Sequence, residues 1–246
     1  RSEAGRRVRE AFVATNGVII SADYSQIELR VMAHVSNDAN LQRAFAAGED
    51  IHKATASEVF GVSLQDVSSE QRRAAKAINF GLIYGQGAFG LAENLGISRT
   101  EAKEIIDNYF KQFPGIRTYM DDVIENARTH GYVETLMGRR RYLRDINSNN
   151  ATVRSFAERN AINAPIQGSA ADMIKLAMID IHAELKKRQL KSRMILQVHD
   201  ELLFDVTLDE VDELKLLVTD LMAKAMPLKV PVLAEAGVGL NWLEAH

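Results

Sequence analysis

The chain has 246 residues, 46% of them hydrophobic and 26% charged, with a formal net charge of −3, which describes an ordinary globular chain able to bury a substantial core. Cysteine is absent, which excludes disulfides and thiolate metal sites and fits a reducing cytosol, so any metal must take oxygen or imidazole ligands. No apolar run approaches the roughly 20 residues of a membrane span and no signal-peptide pattern opens the sequence, so a cytoplasmic protein with no membrane partner is expected.

In chain order, Val18–Asp23 reads as a buried strand that ends on a bare carboxylate, and Gln26–Val35 as the helix that follows it. From Asp38 to about Phe113 the pattern is helical in short pieces. Ser68-x-x-Gln71 and Ser98-x-x-Glu101 are capping boxes that start two of them. The second helix carries Ala102, Ile105, Ile106, Tyr109 and Phe110 at helical spacing and stops before Pro114. A further helix covers 115–129, and Tyr132–Leu136 with Arg141–Leu143 read as a small hairpin around Met137-Gly138. A long helix is expected from about Asn163 to Arg188. Arg193–Val198 and Leu202–Val206 then form an antiparallel hairpin with His199-Asp200-Glu201 at its turn. Thr207-x-x-Glu210 opens a last helix through Ala225, and Val230–Leu240 closes as a strand. Strands at both ends with a helical block between them make an α+β plan, a sheet domain carrying an all-helical insertion.

Charge is segregated along the chain. Residues 139–159 hold six arginines against Asp145 and Glu158, while 200–225 hold eight acids against Lys215 and Lys224. A basic patch beside an acidic pole suits phosphates beside a cation site, although solvated helix faces would look the same.

Chemistry concentrates in three places. Asp23 and Asp200 lie about 177 positions apart, each at the end of an apolar strand. Two carboxylates on neighbouring strands form a hard oxygen site suited to Mg²⁺, and two such ions about 3.5–4 Å apart clamp the oxygens of a phosphoryl transfer. Neighbours on an extended strand point to opposite faces, so Glu201 stays in the catalytic group but not as a primary ligand. As plain turn residues, the same acids need no function. In "SEQRRAAKAINFGLIYG", Arg72, Lys76, Phe80 and Tyr84 recur every four residues along one helix face. Two cations followed by two rings suit a triphosphate with a base or sugar stacked beyond it, or a surface helix with Phe80 turned inward. Third, Gln26, Ile27, Glu28 and Arg30 open a helix just after Asp23; a glutamate there is also favoured by the helix dipole alone.

"DYSQIELR", "RRAAKAINFGLIYG" and "VHDE", in that order around a helical block, resemble motifs A, B and C of family A DNA polymerases, and the likeness extends through "AINAPIQGSAAD" to "NWLEAH". The resemblance implies a right-hand polymerase: palm over 1–36 and 151–246, with an antiparallel sheet, and helical fingers over 37–150. It implies Asp23, Asp200 and the Tyr24 backbone carbonyl around two Mg²⁺ ions, with Glu201 in the catalytic set. Arg72 and Lys76 would hold the triphosphate of a deoxynucleotide and Phe80 would stack on its sugar and base. Tyr84 would lie beside the nascent pair. Glu28 would close the space a 2′-hydroxyl needs, with Gln26, Ile27 and His52 at the same pocket. Arg30, Arg154, Arg159, Asn163, Gln167 and His199 would contact template–primer DNA, partly in the minor groove, where A·T and G·C share acceptors. A monomer is expected.

Against the family pattern the chain starts within the palm, without thumb or exonuclease, so a fragment that binds DNA weakly and extends primers poorly on its own is expected. Single-subunit RNA polymerases share the palm, but a carboxylate gate at Glu28 makes little sense where ribose must fit. A catalytically silent DNA-binding fragment is the other alternative.

Overall fold

A computed structural model describes residues 3–15 and 17–246. In chain order the elements are α1 (Glu3–Glu10), β1 (Gly17–Tyr24), α2 (Ile27–Ser36), α3 (Ala39–Ala46), α4 (Ile51–Phe60), α5 (Ser69–Ile83), α6 (Ala88–Leu95), α7 (Arg99–Gln112) and α8 (Pro114–His130). There follow β2 (Tyr132–Glu134), β3 (Arg140–Tyr142), α9 (Ala151–Lys187), β4 (Arg193–Val198), β5 (Glu201–Thr207), α10 (Val211–Lys224), β6 (Ala234–Gly239) and α11 (Trp242–Ala245). Two compact units form, one from the chain up to Ile27 together with Ala170–His246, the other from Glu28–Ser169. The α+β class is as expected; the units divide at 27 and 169, where the sequence-based subdivision divides at 36 and 150. No helix among the described residues is long and apolar enough to cross a membrane.

The sheet unit is four antiparallel strands in the order β4-β5-β1-β6. β1 is buried on both faces, which explains its unbroken apolar run. Ile20, Ala22 and Tyr24 share one face with their cross-strand partners Phe204 and Leu202. Helix α10 packs on β1, and Tyr24 Oη donates to the Met222 carbonyl at 2.8 Å. The other face carries Ile19, Ser21 and Asp23, and there Ile19 and Leu203 pack under Trp242 and Ala245 of α11. Gly237 is required by this layer: a Cβ would stand 2.1 Å from the Ala245 carbonyl oxygen.

The helical unit starts its helices as their sequence dictates. Ser68 and Ser98 both make complete capping boxes, with Gln71 and Glu101 reaching back to them. Asp38 and Asp50 cap α3 and α4. The hairpin β2–β3 lies in the helical unit, with Val133 and Leu143 in a cluster with Ala127, Ile146, Ala157, Ala161 and Ala164.

Three boundaries differ from expectation. Helix α9 begins at Ala151, twelve residues before Asn163, and runs through Pro165. Before Asn163 its turns bury only Ala157, Ala161 and Ile162, a stripe too weakly apolar to announce a helix. The closing strand begins at Ala234, after Pro231, although Val230 and Val232 are buried. Glu210 does not cap a helix at Thr207. It is buried and accepts from the Lys191 and Ser192 amides and from Ser192 Oγ, and a short 3₁₀ turn precedes α10.

Candidate functional site

In the sheet unit, Asp23 is the penultimate residue of β1, flanked by Glu201 on one neighbouring strand and Glu235 on the other. Directly paired residues of antiparallel strands point to the same face, so three carboxylates share one side of the sheet. Asp200 stands in the two-residue turn just before β5, after His199 in the left-handed conformation (φ 56°), and its carbonyl accepts from the Tyr24 amide at 3.2 Å. Burial pushes the Asp23 carboxyl up to about 7, helped by the charges of Asp200, Glu201 and Glu235. Burial likewise raises Asp200, with the Glu201 charge adding to it and His199 and His246 opposing it. Like-charged acids held together this way leave negative charge that a cation would relieve.

Glu201 differs from its neighbours. It is 4% exposed, and its Oε1 accepts from Ser21 Oγ, from Trp242 Nε1 at 2.6 Å and from His246 Nδ1 at 3.2 Å. Three donors on one oxygen fix the carboxylate in place. Asp23, Ser21, Glu235 and His246 also line a cavity of about 890 Å³, whose rim includes Arg6 and Arg9 of α1. Among the described residues no three acidic or imidazole groups form a preformed metal cage. Two carboxylates fit Mg²⁺ nonetheless, because that ion takes few protein ligands and completes its shell with water and substrate phosphates.

In the helical unit, Arg72 and Lys76 are exposed and Phe80 and Tyr84 half-buried, while Ala75, Ile78, Asn79, Leu82 and Ile83 form the buried side of α5. The Phe80 and Tyr84 rings lie 6.2 Å apart and the His52 ring 5.8 Å from Phe80. Arg72 Nε donates to Asp50 at 2.6 Å, and Asp50 is itself pinned by the amides of His52 and Lys53. One edge of the guanidinium is thereby anchored, and its terminal nitrogens keep donors for an anion. Tyr84 Oη donates to the Glu28 carboxylate, so the proposed gate at Glu28 is tied to α5. Gln26 has a left-handed backbone (φ 55°) just before α2, and Ile27 is buried.

The remaining expected residues are scattered. Asn163 Nδ2 lies 3.5 Å from the Tyr84 carbonyl and its Oδ1 is buried without a partner. Arg159 is exposed beside Phe156, Gln167 and His199 are exposed, and Arg154 donates to the Ser148 carbonyl at 2.8 Å. Arg30 is buried, with its guanidinium 4.6 Å over the Phe45 ring. Sequence reasoning missed Ser21 and Glu235, which join the acids through strand register, and Trp242 and His246, which reach Glu201 from α11 and the residue after it. It also missed Asp50, whose place before an apolar helix start was a readable capping signal.

A family profile described as DNA polymerase family A matches residues 1–244, and the chain belongs to that family. It is 52% identical to the DNA polymerase I of Lactococcus lactis subsp. lactis (strain IL1403), over 100% of this chain and 28% of the relative. It is 53% identical to that of Pseudomonas aeruginosa PAO1, over 100% of this chain and 27% of the relative. It thus spans little more than a quarter of these relatives. Among solved structures it is similar to the POL domain of Pol1 from M. smegmatis in complex with DNA primer-template and dNTP, with a TM-score of 0.95 and 51% identity, covering 100% of this chain and 44% of that one.

Proposed function

We propose that this chain supplies the palm (1–36 and 151–246) and fingers (37–150) of a template-directed DNA polymerase, which adds deoxynucleotides to a primer 3′-hydroxyl and releases pyrophosphate. The observation that carries the reading is Asp23, held beside Asp200 and pushed up to about 7. Asp23 and Asp200 would hold Mg²⁺, with the Tyr24 carbonyl alongside. Two such ions, when bound, lower the pKa of the attacking hydroxyl and stabilise the leaving pyrophosphate.

The chain's own residues do the rest. Arg72, anchored by Asp50, and Lys76 bind the triphosphate oxygens. Phe80 stacks on the sugar and base. Glu28, tied to Tyr84, fills the space beside the sugar's 2′ carbon and so favours deoxynucleotides. Arg154, Arg159, Asn163, Gln167 and His199 would touch template and primer. The POL domain similar to this chain is described with both DNA and dNTP, which supports these partners.

The test uses Asp23→Ala and Asp200→Ala, made separately in the full natural polypeptide. Primer extension is expected to fall by about 10³-fold or more, since metal-ligand removal costs several kcal/mol of transition-state stabilisation, while primer–template affinity changes little. Extension within about tenfold of wild type in either variant would overturn the reading.

A further inference from the structure

Asn79 lies on the buried side of α5 among Ile78, Leu82 and Ile83, is 1% exposed, and has no part in the chemistry above. A buried amide costs free energy unless its hydrogen bonds are made. Both of its side-chain partners, Thr55 and His52, come from α4. Thr55 Oγ1 donates its one proton to the Ile51 carbonyl at 2.8 Å, so towards Asn79 it acts as an acceptor. Asn79 Oδ1 lies 3.1 Å from the same hydroxyl, the longer of its two options as donor. Asn79 Nδ2 carries two protons and meets two acceptors, Thr55 Oγ1 at 3.0 Å and His52 Nδ1 at 3.1 Å. A ring nitrogen that accepts carries no proton, so the imidazole proton must sit on Nε2.

We infer that Asn79, backed by Thr55, is a positioning residue that holds His52 as the neutral tautomer with its proton on Nε2, so that α4 offers the incoming triphosphate an uncharged hydrogen-bond donor. The inference rests on the polymerase reading for its ligand, while the tautomer stands on the side-chain network alone. The opposite tautomer would turn a lone pair from Nε2 towards phosphate oxygens, which repel it. A cationic ring would have to be buried beside Lys76 and Arg72. Consistent with this, burial lowers His52 to about 4, with Lys76 and Arg72 adding to the effect and Asp50 opposing it. The ring sits 5.8 Å from Phe80, on the side of α5 that would meet the nucleotide.

The first experiment is the ring-¹⁵N spectrum of histidine-labelled full natural polypeptide without nucleotide, at pH 8, with the His52 signals identified by their loss in His52→Gln. An accepting Nδ1 and a protonated Nε2 are expected; a protonated Nδ1 or a mixture of tautomers would overturn the inference. The second uses Asn79→Asp, whose carboxylate would draw a proton to Nδ1. Its deoxynucleotide Kd is expected to rise about tenfold, the worth of a hydrogen bond to a charged group, with the rate at saturating nucleotide within about twofold of wild type. In a His52→Gln background the same change should cost less than about twofold. An equal loss in both backgrounds would mean that Asn79 is merely structural. If the wild type binds no deoxynucleotide, the polymerase reading falls, whereas the tautomer is still decided by the spectrum.

Discussion

Trp242→Phe isolates one bond of the Glu201 cluster. Phenylalanine keeps a ring for the edge contact with Phe12 (centroids 5.4 Å apart) and for the Arg9 guanidinium 4.8 Å away, but deletes the Nε1–H that donates to Glu201 at 2.6 Å. Glu201 keeps Ser21 Oγ and His246 Nδ1 and stays buried. A hydrogen bond to a charged group contributes about 1.5–3 kcal/mol, and the lost half of the indole leaves a small void costing about 1 kcal/mol. The sum, about 2.5–4 kcal/mol, is a large share of a domain's total stability. Trp242 is the chain's one tryptophan, so far-UV circular dichroism in a urea titration must replace fluorescence. Glu201→Gln supplies the second leg of a double-mutant cycle, in which the indole's contribution should shrink by about 1 kcal/mol or more. A loss below about 0.5 kcal/mol in the wild-type background, or full additivity in the cycle, would refute the claim that the indole holds this carboxylate.

His52, buried and lowered to about 4 from 6.5, makes stability depend on pH. The unfolded chain takes up a proton near 6.5 that the folded chain refuses until about 4, so stability is full above the higher value and falls with pH between the two. Between pH 7.5 and 4.5 the loss should be about 2.5 kcal/mol, absent in His52→Gln; equal slopes in the two proteins by urea titration would contradict the assignment. Gly237→Ala must push a Cβ against the Ala245 carbonyl, 2.1 Å away, so α11 has to move, and a cost of about 1–3 kcal/mol is expected; an unchanged urea midpoint would count against this packing. Glu28→Ala should raise ribonucleotide relative to deoxynucleotide incorporation by about tenfold or more, and an unchanged ratio in single-turnover assays would remove Glu28 as the gate.

What could be read in advance was local. Ser68 and Ser98 capped their helices because Gln71 and Glu101 lie three residues on, and nothing distant competes for those side chains. The same spacing misled at Thr207, because Glu210 found better donors in Lys191 and Ser192 on the segment leading into β4, invisible without the tertiary fold. The α5 face was legible because a four-residue repeat is a helical property, and its exposed and buried sides fall as that period requires. The length of α9 was not legible: before Asn163 it buries two alanines and a single isoleucine, Ile162, which carry little periodic hydrophobic signal, and Pro165 sits inside the helix.

The acids show most clearly where local reasoning stops. Strand alternation would place Asp200 and Glu201 on opposite faces, but Asp200 belongs to the turn, and β5 begins at Glu201. Register then pairs Glu201, not Asp200, with Asp23, and Ser21, Trp242 and His246 take up its Oε1. Asp200 carries no comparable set of donors; it is raised by burial and bears on Asp23 from the turn. Two adjacent acids therefore acquire different characters from one residue of register: Glu201, with three donors on one oxygen, ties β1 to α11, and Asp200, raised by burial, is the acid that on the proposed reading would share a cation with Asp23. A glutamine should accordingly be tolerated far better at 201 than an asparagine at 200 in primer extension, and the reverse order would mean that the roles of the two acids are exchanged.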